Sequence, residues 1–317
     1  MEHIFGPVPS RRLGRSIGVN NIPPKVCSYS CVYCQLGRAI EMTARRRAFF
    51  DPAALVEEAR AHLQAARGRG EGVDYLTIVP DGEPTLDENL GQLVGGLKGL
   101  GVPVALITNS SLLGEPEVRE ALLELDWISV KVDAADEATW KHVDHPHKSL
   151  EFDRIIEGTR VFASNFAGTL TTETMLVDGV NDSRPHIDGV AELLGELRPA
   201  ISYVSIPTRP PAWSWVRPAG ETSIGYAYAA FGAHVARVEN LIGYEGNEFA
   251  ASGDARADLL SITAVHPMRH DAVDELLRKD GASQGVLTEL LGAGELVEVR
   301  FGAHSYYVRG GQRLSNT

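Results

Sequence analysis

The sequence predicts an α/β protein: a partial (βα)6 barrel of parallel strands, followed by a small C-terminal winged-helix-like module. Six short segments rich in Val, Ile and Thr recur along the first 206 residues, and helical patterns separate them. Strands that alternate with helices in this way form parallel sheets with right-handed crossovers. Six units are too few for a closed eight-stranded barrel, so we expect an open one.

Each repeating unit is predicted from its own residues. The predicted strands are residues 16–19, 75–79, 102–108, 128–132, 170–176 and 202–206, and the predicted helices are residues 52–66, 87–100, 115–124, 152–164, 185–197 and 222–238. Asp51 and Pro52 supply an N-cap and a proline at the start of the first helix. Gly101 is suited to end the second helix.

The pattern changes after residue 240, which predicts three parts: the barrel at 1–240, a Gly-rich and polar linker or lid at 241–258, and the winged-helix-like module at 259–317. In the module, we expect helices at 271–279 and 283–291 and strands at 296–300 and 305–309. Residues 266–317 carry six Lys and Arg against seven Asp and Glu. Because a DNA-reading wing is normally basic, we expect no DNA contact and favour a protein-docking or self-docking role.

Composition narrows the functional classes. The chain of 317 residues is 44% hydrophobic and 23% charged, without an apolar run of membrane-spanning length or a signal-peptide core. Its net charge of −12 argues against broad nucleic-acid affinity. Residues 1–50 are an exception, with eight Lys and Arg against two Glu. This basic collar suits an anionic ligand, although a solvated surface would have the same composition.

All three cysteines of the chain lie within eight residues, at Cys27, Cys31 and Cys34. Three thiolates at this spacing can hold one iron–sulfur cube and leave its fourth iron without a protein ligand. A zinc site completed by a histidine, or free buried thiols, are the alternatives. Zinc sites usually pair their ligands as two CxxC motifs, and no second pair exists here. Free thiols also predict a reducing, cytoplasmic location.

Polar residues follow several predicted strands at the point where each strand ends. The cysteine loop follows the first strand, residues 81–85 the second and residues 109–111 the third, while Asp133 follows the fourth. The carboxyl ends of parallel strands meet at one edge of a sheet, where ligands bind. We therefore expect these residues to form one site.

The motifs together resemble the radical S-adenosylmethionine (SAM) superfamily, over about residues 5–238. The match consists of Cys27, Cys31, aromatic Tyr33 and Cys34 after the first strand, with residues 81–84 in the place of a Gly-Gly-Glu-like motif. The chain is also similar to a group of small wyosine-synthase-like proteins, at residues 5–14, 22–25, 34–37, 179–182 and 266–268. Wyosine synthase has extra cysteines for a second cluster, which this chain lacks, so its reaction is not carried over.

The resemblance implies a cofactor set and a ligand set. Cys27, Cys31 and Cys34 would hold a [4Fe–4S] cluster, and SAM would chelate the fourth iron. The resemblance and the strand positions give the SAM contacts as Tyr33, Gly82, Glu83, Pro84, Asn109, Ser110, Lys131, Asp133, Glu173 and Met175. Lys131 and Asp133 share a face of one strand. If this face lines the barrel interior, they touch ligand or pair with each other; otherwise Lys131 caps the edge. A plain turn remains the alternative for Asn109 and Ser110.

The activity implied is reductive cleavage of SAM, with an electron from an external low-potential donor of the flavodoxin or ferredoxin kind. The usual product is a 5′-deoxyadenosyl radical that acts on a substrate, here a small molecule or RNA. A 3-amino-3-carboxypropyl radical, tRNA modification, and a non-catalytic iron–sulfur electron carrier or sensor remain alternatives. No membrane partner is expected.

Three further clusters carry weaker signals. His142, His145 and His147 lie in one loop, without the helical spacing of a metal site, so we expect no metal there. His147 could instead contact substrate. Arg11 and Arg12 could bind a phosphate or carboxylate, or the sheet edge. Trp213 and Trp215 follow the last strand and fit a substrate wall or a packing corner.

Overall fold

The structure is a computed structural model that describes residues 3–243, 249, 251, 253–265 and 267–310. Its central sheet has eight strands. Its strands in spatial order are β1 (Ile4–Ser10), β2 (Gly14–Val19), β5 (Tyr75–Ile78), β6 (Val104–Thr108), β7 (Trp127–Lys131), β8 (Thr169–Met175), β9 (Ile201–Ser205) and β10 (Val238–Leu241). Strand β1 is antiparallel to β2, and every other neighbouring pair is parallel. Two short strands, β3 (Val26–Cys27) and β4 (Glu41–Met42), pair separately.

Seven helices connect these strands: α1 (Pro52–Gly68), α2 (Leu90–Lys98), α3 (Pro116–Leu122), α4 (Glu137–Asp144), α5 (Phe152–Asn165), α6 (Arg184–Leu197) and α7 (Glu221–Gly232). Helix α6 illustrates why they form. Its buried residues Ile187, Val190, Leu194 and Leu197 recur at three- and four-residue intervals and face the main hydrophobic core. Among the described helices, none is long and apolar enough to span a bilayer.

The predicted α/β class and its six parallel strands are confirmed, as β2 and β5–β9. The two edge strands were not predicted. Strand β1 contains Pro7 and Pro9, which the central strands of a sheet exclude but an edge strand accommodates. Strand β10 has only four residues and begins at Val238, where the sequence predicted the end of a helix; α7 instead ends at Gly232.

Two helices differ from the prediction for local reasons. Helix α2 begins at Leu90 rather than at residue 87, because a 3-10 turn at Pro84–Leu86 precedes it and the Asp87 carboxylate accepts from Asn89 N at 3.0 Å. Helix α4 was predicted as part of a loop. It has eight residues, and His145 ends it in the left-handed conformation, with φ of 43°.

The C-terminal part contains α8 (Ala255–Val265), α9 (His270–Lys279), α10 (Gly285–Gly292), β11 (Met268–Arg269), β12 (Leu296–Phe301) and β13 (His304–Arg309). The three strands form an antiparallel sheet in the order β11-β13-β12. This part has its own hydrophobic cluster, against which Val8 of β1 packs. The winged-helix interpretation and the domain boundaries stay predictions. The linker or lid at 241–258 lies partly outside the described residues, and α8 begins within it.

Candidate radical SAM site

The cysteine loop is held by the end of α4. Ser30 N donates to the carbonyl oxygen of Asp144 at 3.1 Å, and Val32 N donates to that of Val143 at 2.9 Å. His147 N donates to the carbonyl oxygen of Ser28 at 2.8 Å. The loop is therefore fixed by backbone hydrogen bonds to a helix more than 100 residues away in the sequence.

The three thiols line one cavity of about 300 Å3 at the carboxyl ends of the parallel strands. The predicted ligand residues that also line it are Tyr33, Gly82, Glu83, Asn109, Lys131, Glu173 and Met175. Three others do not. Ser110 and Asp133 line a smaller neighbouring cavity, and Pro84 is buried at the start of the 3-10 turn. The structure thus brings together ten of the thirteen residues that the sequence indicated.

The thiols are placed where a bare thiolate is unfavourable. Burial, together with the charges of Glu83 and Cys34, raises the pKa of the Cys27 thiol to about 12. Burial and the nearby carboxylate of Asp144 raise the pKa of Cys31 well above its ordinary value. A bound cation supplies the charge that keeps such thiols deprotonated, so this donor set is suited to metal.

The surroundings also fit an iron–sulfur cluster, in which each thiolate binds a different iron. A Cβ at Gly82 would lie 1.9 Å from the carbonyl oxygen of Val26, so a glycine is needed for the loop after β5 to approach the cysteine loop. Asn109 Nδ2 donates toward Cys27 Sγ at 3.6 Å. Such N–H to sulfur contacts stabilise cluster thiolates and tune their potential.

Glu83 is fully buried and accepts hydrogen bonds from three residues. Its Oε1 accepts from Thr85 N at 3.0 Å and from the hydroxyls of Thr85 and Thr108 at 2.6 Å each, while Oε2 accepts from Asn109 N at 2.7 Å. Burial raises the pKa of Glu83, although these hydrogen bonds oppose the shift. This carboxylate therefore joins the ends of β5 and β6 at the cavity wall.

A chain of acidic and basic side chains extends from the cavity to a residue behind its wall. Lys131 Nζ lies 3.4 Å from both Asp133 Oδ1 and Glu173 Oε1, and Glu173 also pairs with Arg12. Burial alone would raise the pKa of Glu173, but Lys131 and Arg12 outweigh it and hold this pKa well below its usual range. Glu173 is therefore an anion in the neutral pH range. Of the sequence alternatives for Lys131 and Asp133, the structure shows the ion pair.

Tyr33 connects this chain to the cysteine loop. Its hydroxyl donates to Asp133, and Lys131 Nζ lies 5.0 Å from the centroid of its ring. Asp133 Oδ1 in turn accepts from Met175 N at 2.6 Å. Asp133 thus positions two cavity residues from behind the cavity wall.

Several contributing residues were not predicted. Ser205 donates to Glu173 Oε1 at 2.8 Å, Arg209 donates to Gln35 at 2.8 Å across the cavity mouth, and Asp144 accepts from Cys31 Sγ at 3.3 Å. Asn181 Nδ2 donates to the carbonyl oxygens of Asp133 and Met175 at 2.9 Å each. Asn181 lies in the segment 179–182 that the resemblance had singled out, whereas the others follow no local pattern.

Of the remaining predicted residues, the two arginines reach this cavity, whereas the histidines and tryptophans lie outside it. Arg11 and Arg12 line the cavity, with Arg11 donating to the carbonyl oxygen of Gly243 at 2.7 Å. His145 lies against Trp213, and His142 against Trp215, at ring centroid distances of 5.6 Å and 6.2 Å. Within the described part of the chain, no three His, Cys, Asp or Glu side chains are arranged to hold a single metal ion.

Comparison with known families decides the assignment. The model of the radical SAM superfamily matches residues 21–188, more than half of the chain. The protein belongs to the radical SAM superfamily. Members of this superfamily are enzymes that use a [4Fe–4S] cluster and SAM, and they typically need an external electron donor.

One curated relative matches nearly end to end. The UPF0026 protein MJ1312 of Methanocaldococcus jannaschii is 41% identical over 311 residues, which cover 98% of this chain and 96% of the relative. The chain therefore also belongs to the UPF0026 family. The similarity extends through the C-terminal part, beyond the segment that the superfamily model matches.

Solved structures share the fold at low identity. A radical SAM methyltransferase from Sphaerobacter thermophilus superimposes with a TM-score of 0.54 and 15% identity, covering 72% of this chain and 66% of that protein. TYW1, solved with a lysine–pyruvate adduct bound, gives a TM-score of 0.52 and 14% identity, covering 69% of this chain and 74% of TYW1. At these identities the likeness concerns the fold alone.

Proposed function

We propose that this radical SAM enzyme cleaves SAM reductively at a single [4Fe–4S] cluster held by Cys27, Cys31 and Cys34. The observation that supports it best is the convergence of all three cysteines with Asn109, Lys131 and Glu173 on one cavity. Cys27, Cys31 and Cys34 would hold the cluster, which would supply the electron that cleaves one S–C bond of SAM to give methionine and a 5′-deoxyadenosyl radical for hydrogen abstraction from a substrate.

The chain's residues orient SAM in this cavity. Glu173 is held as an anion and is suited to accept from ribose hydroxyls, while Asn109 lies between the cysteine loop and the end of β6. The side chains of Val79, Ile107 and Ile206 add an apolar wall that excludes water. Pro84, Ser110 and Asp133 take supporting positions behind the residues that contact SAM.

The electron comes from an external protein donor of flavodoxin or ferredoxin type in a reducing, cytoplasmic compartment. A second cluster would need further cysteines, and the sequence has none beyond these three. The electron therefore enters at the same cluster that cleaves SAM.

The test is anaerobic reconstitution, reduction with dithionite and chromatography of the SAM products. We expect 5′-deoxyadenosine and methionine, and we expect Cys31→Ala to abolish both the brown colour and cleavage. Ser164→Ala, a control on the exposed face of α5, should retain both. 5′-Methylthioadenosine as the product would indicate the 3-amino-3-carboxypropyl radical instead. A reducible cluster that yields no SAM product would refute the proposal and favour an electron carrier or sensor.

A further inference from the structure

A second cavity, which we call the outer cavity, also borders the cysteine loop. It has a volume of about 600 Å3, and its lining includes Ser30, Arg38 and Ala39 of that loop. The thiol-lined cavity takes Cys27, Cys31 and residues 33–36 from the same loop, and the two linings share no residue. The loop therefore borders two cavities, and the proposed SAM cleavage uses one of them.

The outer cavity is basic, in contrast to a chain with a net charge of −12. Arg38, Lys141 and Lys148 line it, together with His145 and His147, against one carboxylate, that of Glu137. Glu137 is already paired with Lys141 at 2.8 Å. Lys148 is exposed and makes no ion pair or hydrogen bond to any residue that the structure describes. Arg38 and Lys148 thus supply uncompensated positive charge.

The same cavity has an aromatic wall. Trp140 and Trp213 line it together with Met42 and Leu150. The Arg38 guanidinium lies 4.7 Å from the centroid of the Trp213 ring, which fixes a cation beside an aromatic surface. Burial, with the charges of His142 and Arg38, lowers the pKa of His145, which is therefore neutral at pH 7 and can both donate and accept hydrogen bonds.

We propose that the outer cavity binds a nucleotide unit, with the base against the indole ring of Trp213 and the phosphate between Arg38 and Lys148. Aromatic faces that alternate with Arg and Lys are the combination that binds nucleotides and single strands without requiring a regular helix. The volume lies in the range of small-ligand pockets. A concave recess of this size favours a nucleotide over an acidic redox protein, which would need a broad and shallow surface.

The outer cavity is also close to the reaction chamber. Trp213 packs against a cluster of buried valines, and so do Tyr33 and Met175, which line the thiol-lined cavity; these valines are Val32, Val143, Val177, Val180 and Val216. A nucleotide held at Trp213 therefore lies one layer of side chains from the proposed SAM site. Binding there can therefore influence that site through the side chains of this layer.

The nucleotide can be free or part of RNA, and two probes distinguish these sources. Anaerobic holoprotein is titrated with AMP and with a labelled decamer of uridylate, over a range of salt concentrations. Tighter binding of the decamer identifies RNA as the source, and binding of AMP at least as tight identifies a free nucleotide. Absence of binding by both probes at millimolar concentration would overturn the proposal.

Charge variants localise the binding. Lys148→Gln and Arg38→Gln should each raise Kd about five- to tenfold and, for the decamer, reduce the slope of log K against log salt by about 0.7. Lys98→Gln removes the same charge from α2, lines neither cavity and should leave both quantities unchanged. Iron content and circular dichroism verify that each variant is folded. If the Lys148 and Lys98 substitutions changed Kd equally, the assignment of binding to the outer cavity would be wrong. If neither nucleotide probe binds, but an acidic flavodoxin binds in a way that depends on Lys148, the outer cavity is a protein-docking surface and not a nucleotide site.

Discussion

Glu83 stabilises the site through hydrogen bonds, whether or not it also contacts SAM. Glu83→Ala leaves the buried donors of Thr85, Thr108 and Asn109 without an acceptor. We expect the free energy of unfolding to fall by about 3 kcal/mol, as for other buried donors left without partners. Chemical denaturation of Glu83→Ala measures this loss, and titration with SAM measures any loss of affinity separately.

Glu57→Ala is the matched control, because Glu57 makes an exposed ion pair with Arg60 that contributes at most about 1 kcal/mol. An unchanged stability for Glu83→Ala would contradict the support that we assign to its carboxylate.

Asp81 gives the fold a specific pH dependence. It is buried, its Oδ1 has no hydrogen-bond partner in the described part of the structure, and burial raises its pKa to about 7 despite the opposing charge of Lys25. An acid whose pKa is higher in the folded state than in the unfolded state lowers stability as pH rises between the two values.

Asp81→Asn removes this titration. Its stability relative to wild type should therefore increase by about 2 kcal/mol between pH 5.5 and pH 8.5, with the change complete above pH 7. Urea unfolding at several pH values measures it. A pH-independent difference between Asp81→Asn and wild type would exclude the assigned titration.

Among the elements, α4 decides whether the cysteine loop keeps its shape. Trp140 on α4 is buried, and its Nε1 donates to the Tyr29 hydroxyl inside the loop at 2.9 Å. Trp140→Ala removes this hydrogen bond and leaves a cavity, so we expect a loss of about 3–5 kcal/mol in stability and a lower iron content per chain. Trp140→Phe should lose only about 1 kcal/mol and keep its iron.

Trp215→Ala is the comparison for Trp140→Ala, because Trp215 is 44% exposed and lies outside the loop contacts. It should retain both iron and stability. If the two tryptophan variants bound equal amounts of iron, α4 would not be what holds the cysteine loop.

The sequence predicted those parts of the fold that have a local pattern. The cysteine spacing and the two-residue alternation of Lys131 and Asp133 indicated the site, and runs of β-branched residues indicated the parallel strands. Ser205 and Asp144 could not be found this way, because their partners Glu173 and Cys31 lie 32 and 113 residues away. Helix α4 was missed because eight residues give little more than two turns of periodicity.

At the scale of the whole molecule, the described residues of the C-terminal part contact the barrel at places that include the following two. The Tyr306 hydroxyl donates to the carbonyl oxygen of Thr208 at 2.9 Å, beside the cavity mouth, and Val8 packs against the C-terminal hydrophobic cluster. A chain shortened to residues 1–243 keeps the cysteines and α4. We expect it to bind iron as the full chain does, but to unfold at a lower temperature.

For the truncated chain, iron analysis measures the iron bound per chain, and calorimetry under argon measures the unfolding temperature. Tyr306→Phe in the full chain removes the single hydrogen bond and should lower stability by about 1 kcal/mol. A truncated chain unable to take up iron would show that the C-terminal part is needed for assembly of the site.

The turn between β1 and β2 has a consequence for biosynthesis. Leu13 in this turn packs with Tyr203 and Leu241, and Arg12 pairs with Glu173. Contacts so distant along the chain form late in folding. The turn is thus fixed only after β10 has been made. The cysteine loop that follows it is held by α4, so we expect this loop to take its final shape, and to accept iron, only after residue 144 has been synthesised.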